Sequence, residues 1–371
     1  MSTLLTRRAI EVPFLDLTPS HAPLKAQILA DVAALVDTNA FTNGPQVAAF
    51  EQAFSEYTSR TACVGLSSGL DALRLALLGA GVGRGDEVVV PALTFVATVE
   101  AVVQTGATPV IVDIGGDDLN MDAAAARAAT GPRTTVILPV HLYGQMADMR
   151  SLCDIGVPVL EDACQAHGAS RDGIGAGEAG WAAAFSFYPG KNLGAFGDAG
   201  ALVTDDEALA GALRALREHG QVAKYEHETV GYTSRLDSIQ ALVLLHKLPR
   251  LAEWNEARRK AAQYYTEALS GVGDLELAPV PAGSEPVWHL FVVRTADPRS
   301  LAAHLRERGI GTGFHYPEPV HLAAAYRSLG HERGAFPVAE DLAARAISLP
   351  MFPGITEAQL ESVTEAIGAF F

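Results

Sequence analysis

The sequence predicts an α/β fold: a mostly parallel central sheet sandwiched by helices, followed by a smaller C-terminal α+β region. Three observations predict it. From residue 60 to about 218, short β-rich runs alternate with Ala/Leu-rich helical patterns, as in a chain of βαβ units. The strand candidates are continuously apolar, which is expected when helices cover both faces of a sheet. After residue 234 the alternation stops and a long helical stretch begins.

Taken in order, "DALRLALLGA" (71–80) reads as a helix, "DEVVVP" (86–91) as a strand, "TFVATVEAVVQTG" (94–106) as a helix and "TPVIVDI" (108–114) as a strand. "AAAARAA" (123–129), "TTVILPV" (134–140), "ADMRSLCDI" (147–155) and "VPVLED" (157–162) continue helix, strand, helix, strand. Right-handed crossovers follow from that order. Residues 234–271 form one helical stretch, bent or broken at Pro249. Beyond the Pro/Gly-rich loop "APVPAGSEP" (278–286), "VWHLFVVRT" (287–295) reads as a strand, and 299–309 and 356–371 read as helices. This places a large domain at 1–250 and a small one at 251–371.

Composition narrows the function. Of the 371 residues 49% are hydrophobic, enough for a sizeable core. The net charge of −16 (27 basic, 43 acidic) argues against a nucleic-acid surface, which needs a basic footprint. A small anionic ligand needs only a local basic pocket and stays possible. Cys63, Cys153 and Cys164 are odd in number and lack metal-ligand spacing, which predicts reduced thiols, no metal and a cytoplasmic protein. The start carries a twin arginine, Arg7–Arg8, but Glu11, Pro13 and Asp16 stand where the apolar core of a signal peptide would be. The longest uncharged apolar stretch, "VVVPALTFVATV" (88–99), is too short for a membrane span and contains Pro91.

"GAGEAG" (175–180) fits the glycine spacing of a dinucleotide fingerprint, but a strand pattern follows it instead of a helix, so it reads as a turn between strands. Four other pieces fit together. Ser67, Ser68 and Gly69 stand immediately before a helix, where free N–H groups and the dipole favour an anion; a plain Ser cap fits equally. Asp162 ends an apolar strand, the edge at which open parallel sheets bind ligands; it could hold a pyridine nitrogen or merely cap a helix. Phe95 follows another strand at that edge, as a ring-stacking residue or a core one. Lys191, in "FSFYPGKNLGAFGDAG" (185–200), lies among small and aromatic residues; desolvation favours the neutral amine that forms a Schiff base. An anion site, a carboxylate, an aromatic ring and a nucleophilic lysine are the set that holds pyridoxal 5′-phosphate (PLP).

At this point the chain resembles the nucleotide-sugar aminotransferases of the DegT/DnrJ/StrS family, a branch of the aspartate aminotransferase-like, fold type I PLP enzymes. The resemblance rests on "VPFLDL" (12–17), "SSGLDALRLAL" (67–77), "GDEVVVPALTFVAT" (85–98), "ILPVHLYGQ" (137–145), "EDACQAHGA" (161–169), the run around Lys191, "GYTSRLDSIQA" (231–241), "HYPEPVH" (315–321) and "LPMFPG" (349–354). It implies that Lys191 is the Schiff-base lysine and proton shuttle, that Asp162 pairs with the pyridine nitrogen, and that Gln165 approaches the ring or its phenolic oxygen. Phe95 would stack on the ring, while Ser186, Ser68 and Gly69 would contact the phosphate. Leu70 and Thr233 stand where the family usually has Thr and Asn, which removes a hydroxyl and shortens an amide at the cofactor.

The implied activity is amino transfer from an amino acid, L-glutamate by expectation, to a nucleoside-diphosphate-linked keto-sugar, with the cofactor alternating between PLP and pyridoxamine phosphate (PMP). Tyr188, Lys224, His315 and Tyr316 match positions that border the sugar in the 3-keto subgroup, which points to amination at C-3. "GYTSRL" would reach into a neighbouring subunit's site, making an obligate homodimer. Three alternatives stay open: a C-4 keto-sugar, a free cyclitol ketone, or a non-catalytic homologue that binds a sugar nucleotide. A PLP-dependent sugar dehydratase would carry histidine in place of Lys191.

Overall fold

The computed structural model describes residues 10–371, so Arg7 and Arg8 lie outside it. Seven strands build the main layer: β1 (Ala62–Leu66), β2 (Glu87–Pro91), β3 (Thr108–Val112), β4 (Thr134–Ile137), β5 (Leu160–Asp162), β6 (Ala182–Ser186) and β7 (Gly200–Thr204). β2 pairs in parallel with β3 and β4, and β5 pairs in parallel with β6. Parallel bridges Ile137–Val159 and Val140–Asp162 join the two halves. β7 lies between β6 and β1 and runs antiparallel to both. The spatial order is therefore β3-β2-β4-β5-β6-β7-β1. The continuously apolar strands are buried as their composition requires: Val88, Val89 and Val90 are each 0% exposed.

The helix Gly69–Gly79 buries Ala72, Leu73, Leu75, Ala76 and Leu77 against this sheet. Ser68 stands before it with extended backbone, and its Oγ accepts the Asp71 N–H at 3.1 Å. Several elements are shorter than the sequence pattern, among them the strands Thr134–Ile137 and Leu160–Asp162 and the helix Met149–Cys153, and two have a visible cause. The second helix begins at Ala97 rather than at 94, because Thr94–Val96 turn out of β2 first. The strand expected at 287–295 runs only Phe291–Arg294, since Trp288 adopts φ +48°, a left-handed conformation that no strand accommodates. Pro249 interrupts the long helical stretch as expected: helices Ser238–Lys247 and Leu251–Leu269 flank a single 3₁₀ turn.

The C-terminal part contributes a three-stranded antiparallel sheet, with Phe291–Arg294 between Glu276–Leu277 and Ala346–Leu349. Helices Leu251–Leu269, Pro298–Glu307 and Glu357–Gly368 accompany it, and Tyr265, Phe291, Leu301 and Val363 share its core. The N-terminal segment joins the same core: Val12 is fully buried there and forms a parallel bridge with Ile310. No helix among the described residues is long and apolar enough to cross a membrane.

Candidate active site

A cavity of about 610 Å³ opens at the C-terminal ends of β2, β5 and β6. Its floor comes from the large sheet, and its rim from Phe14 and Leu15 and from His289, His315, Tyr316 and Met351. The ends of parallel strands converge there because every βα turn leaves the sheet at that edge. Of the residues picked out in the sequence, Ser68, Gly69, Leu70, Phe95, Asp162, Gln165, Ser186, Tyr188, Lys191, His315 and Tyr316 all line it.

The anion cradle is built by close approach. A Cβ on Gly69 would lie 2.6 Å from Cys164 Sγ and 2.7 Å from Ser186 Cβ, so any side chain would fill the space between Ser68 and Ser186. Gly200 has the same necessity: its Cβ would fall 2.3 Å from the Ser68 carbonyl. The cradle therefore faces the first turn of Gly69–Gly79, with backbone N–H groups and the positive end of the helix directed at it. Leu70 lines the cavity and also packs against the main core.

Asp162 is 5% exposed. Its Oδ2 accepts the Thr98 hydroxyl at 2.8 Å, which is itself bonded to Thr94 at 2.8 Å, and its Oδ1 accepts the Cys164 N–H at 3.2 Å. No helix follows Asp162, so the helix cap weighed from sequence is absent: that last bond closes a turn, and the carboxylate borders the cavity. Phe95 is 53% exposed, which excludes the core alternative. Its ring stands 5.8 Å from that of Tyr316.

Lys191 sits on a loop after β6, and its side chain enters the cavity half-buried, with no hydrogen-bond partner among the described residues. Burial lowers its pKa, opposed by the charge of Asp162. The histidines around it are driven the same way. Burial, reinforced by Lys191, takes His315 to about 4 and pushes His289 well below its ordinary value, so both are neutral near pH 7. His315 Nδ1 is bonded to Ser348 Oγ at 2.8 Å, and its ring stacks on Phe14. The Gln165 amide is fixed at both ends. Its Oε1 accepts the Tyr143 N–H at 2.8 Å, and its Nε2 donates to the Tyr316 hydroxyl at 3.2 Å.

Three residues picked out in the sequence stand apart from the cavity of their own chain. Ser67 donates its hydroxyl to Asp71 Oδ2 at 2.5 Å instead. Lys224 lies on an exposed hairpin with its ammonium 5.3 Å from the Tyr225 ring centroid. Thr233 is exposed and bonded to His219 Nε2 at 3.1 Å. Conversely, sequence reasoning missed Thr98 and His289. Thr98 had a local signal, its spacing of four from Thr94 in a helical pattern; His289 had none, because only the tertiary fold brings it near Lys191.

The residues present fit PLP on the geometry alone. They combine a cradle that a Cβ would fill, a buried carboxylate with a free side, an exposed ring and an unpartnered lysine. A doubly covered parallel sheet with this cavity at its carboxyl edge is that of a PLP-dependent enzyme of fold type I. The chain belongs to the DegT/DnrJ/EryC1/StrS aminotransferase family, whose description matches residues 23–368. It is 46% identical over 362 residues to the dTDP-3-amino-3,4,6-trideoxy-alpha-D-glucose transaminase of Streptomyces venezuelae, covering 96% of this chain and 95% of that protein. The structure of S. venezuelae DesV in complex with a ketimine intermediate superposes with a TM-score of 0.95 at 45% identity, covering 97% and 98% of the two chains. That of NtdA from Bacillus subtilis with bound cofactor PMP superposes with a TM-score of 0.90 at 30% identity, covering 98% of this chain and 85% of that one. The protein is thus an aminotransferase, and its cofactor is PLP, carried as PMP in the aminated half of the cycle.

Proposed function

We propose that the protein transfers an amino group from an amino acid, L-glutamate in this reading, to C-3 of a keto-sugar linked to a nucleoside diphosphate. The observation that carries the reading is the meeting of Lys191 and Asp162, from different strand ends, in one cavity beside the Ser68–Gly69–Ser186 cradle. The 3-amino product named for the S. venezuelae relative supports the carbon chosen.

When bound, the cofactor supplies an electron sink for the substrate carbon. This chain's residues do the rest. Ser68, Ser186 and the N–H groups at Gly69 and Leu70 hold its phosphate. Asp162 accepts a hydrogen bond from the ring nitrogen and keeps it protonated, with Thr98 fixing the carboxylate. Phe95 covers one face of the ring. Gln165 presents an N–H beside Tyr316. Lys191 would form the Schiff base: burial lowers its pKa and so favours the neutral amine that bond requires, and its Nζ would move a proton between two carbons. His315, Tyr316 and Tyr188 border the acceptor sugar.

Among the described residues lining the cavity there is no arginine, and Lys191 is the one lysine. A dicarboxylate donor and a diphosphate acceptor both need cations. Lys224 is exposed on a hairpin whose Tyr225 is 81% exposed, and Val230 just beyond it is 87% exposed. These residues and Thr233 complete the site of a second copy in this reading, making a homodimer in the cytoplasm with shared active sites. The division into a large cofactor-binding part (1–250) and a small part (251–371) belongs to the same reading, supported by the separate antiparallel sheet.

Lys191→Ala should retain the fold and lose transamination entirely, and borohydride should fix PLP to the peptide carrying Lys191 in the wild type. A label on Lys224 instead defeats the assignment. A panel of nucleotide-linked 3-keto and 4-keto sugars against free cyclitol ketones tests the acceptor.

A further inference from the structure

Outside the cavity lies a second lysine in an unusual setting. Lys247 ends the helix Ser238–Lys247 and is 2% exposed. Its Nζ donates to the Gly194 carbonyl, lies 2.9 Å from His21 Nε2 and sits 5.3 Å from the centroid of the Phe196 ring. Among the described residues, no carboxylate lies within ion-pair distance of it. Burying an ammonium without a counter-ion is costly. The helix C-terminus and the aromatic face offset part of that cost. A methionine would occupy the same volume without it, so the ammonium must do something a methionine cannot.

What it holds is the loop that carries Lys191. The loop is pinched at its mouth, where the Ala195 N–H donates to Phe187 O at 2.7 Å, and near its tip, where the Lys191 N–H donates to Tyr188 O at 2.8 Å. Gly194 folds back on Pro189 so tightly that a Cβ would lie 2.4 Å from the Pro189 carbonyl oxygen. On the other side Asn192 is fastened, its Nδ2 donating to Asn255 Oδ1 and Val287 O, both at 2.9 Å. Lys191 thus stands beside two anchored points, residue 192 held through Asn255 and Val287 and residue 194 held by Lys247.

We propose that Lys247 is a positioning residue: by holding the Gly194 carbonyl, its ammonium fixes the direction in which Lys191 enters the cavity. This rests on Lys191 being the cofactor lysine. Burial lowers Lys247 to about 8, so it is still largely protonated near pH 7. Burial, then the charge of Lys247, lowers His21 to about 4, which leaves its Nε2 free to accept.

The test uses the apo-protein of Lys247→Met with two readouts. Hydrogen exchange at the Lys191 and Ala195 amides should accelerate by about tenfold, the upper range for one net hydrogen bond, while amides within Ser238–Lys247 keep their wild-type rates. Capture of free pyridoxal by Lys191, read after borohydride reduction, should slow by about the same factor. Either loop exchange or capture unchanged from wild type overturns the proposal. So does uniform acceleration of exchange across the molecule, which marks a purely structural lysine. If Lys247→Met does not fold, Lys247→Gln carries the same test, with a smaller slowing expected because the amide is a neutral donor on a shorter stem. A label that misses Lys191 in the wild type defeats the assignment of Lys191, whereas a correct label with unchanged capture in the variants defeats the role of Lys247 alone.

Discussion

Glu161 and Asp162 are adjacent on β5, both buried, at 0% and 5% exposure, and their side chains leave the strand on opposite faces. Their surroundings differ in one respect. Glu161 is enclosed by donors: His141 Nε2 at 2.8 Å and the N–H groups of Gly177, Ala179 and Gly180 at 2.9, 3.1 and 2.6 Å. The Ala147 N–H donates to His141 Nδ1 at 3.2 Å, so the ring proton sits on Nε2 and points at the carboxylate. Among the described residues Asp162 accepts only from the Thr98 hydroxyl and the Cys164 N–H, and it borders the cavity. A saturated buried carboxylate is architecture, and an unsaturated one is reserved for a ligand. The comparison also explains "GAGEAG": its backbone N–H groups do cradle an anion, but that anion is the protein's own Glu161.

The contrast can be broken from either side. The largest effect on rate belongs to Asp162→Asn. An amide cannot keep the ring nitrogen protonated, so turnover should fall by roughly 10²–10⁴, the usual range for a lost proton-handling group, while PLP remains bound and melting changes little. Near wild-type turnover would make Asp162 a structural turn residue. Glu161→Gln should do the reverse. It leaves the neighbouring N–H groups facing an NH₂, and stability should fall by about 3 kcal/mol, as for a broken buried pair, with rate per folded molecule nearly unchanged. Urea unfolding beside active-site titration separates the two.

Acid sharpens the comparison. Burial alone would raise the Glu161 pKa, but the His141 bond and the backbone N–H groups outweigh it and hold it below the ordinary 4.5. A carboxylate depressed in the folded state stabilises the fold above its unfolded pKa and loses that contribution as pH falls through the folded one. The stability gap between wild type and Glu161→Gln should therefore be full near neutrality and narrow below pH 4.5. The smallest effect is that of Thr98→Val, which removes one donor from Asp162. It should cost about 1 kcal/mol, seen as a several-fold lower rate with an unchanged KM for the acceptor.

Much of this was legible because it is local. Lys191, Asp162, Gly69 and Ser186 each follow a strand or open a helix, and the run of βα units puts such positions at one sheet edge. The apolar strands announced their burial through composition. What stayed hidden depends on contacts distant in sequence. Nothing near His289 shows that it will face Lys191, and nothing near His141 shows that it will bind Glu161. The shortened strand at Phe291–Arg294 turns on the left-handed Trp288, which no β-propensity reveals. For Phe95 the sequence allowed two environments, and exposure chose between them.

Val12 and Phe14 reach across to the C-terminal part of the chain, the first bridging Ile310 and the second stacking on His315. This stitching has a consequence in time. A ribosome releases the cavity floor, with Asp162 and Lys191, well before the rim residues Tyr316 and Met351, a delay on the order of ten seconds at usual elongation rates. Throughout that interval the floor is open to water and the N-terminal segment has nothing to dock on. During synthesis the cavity therefore cannot close until the C-terminal rim residues exist, because the rim that completes it draws on both ends of the chain.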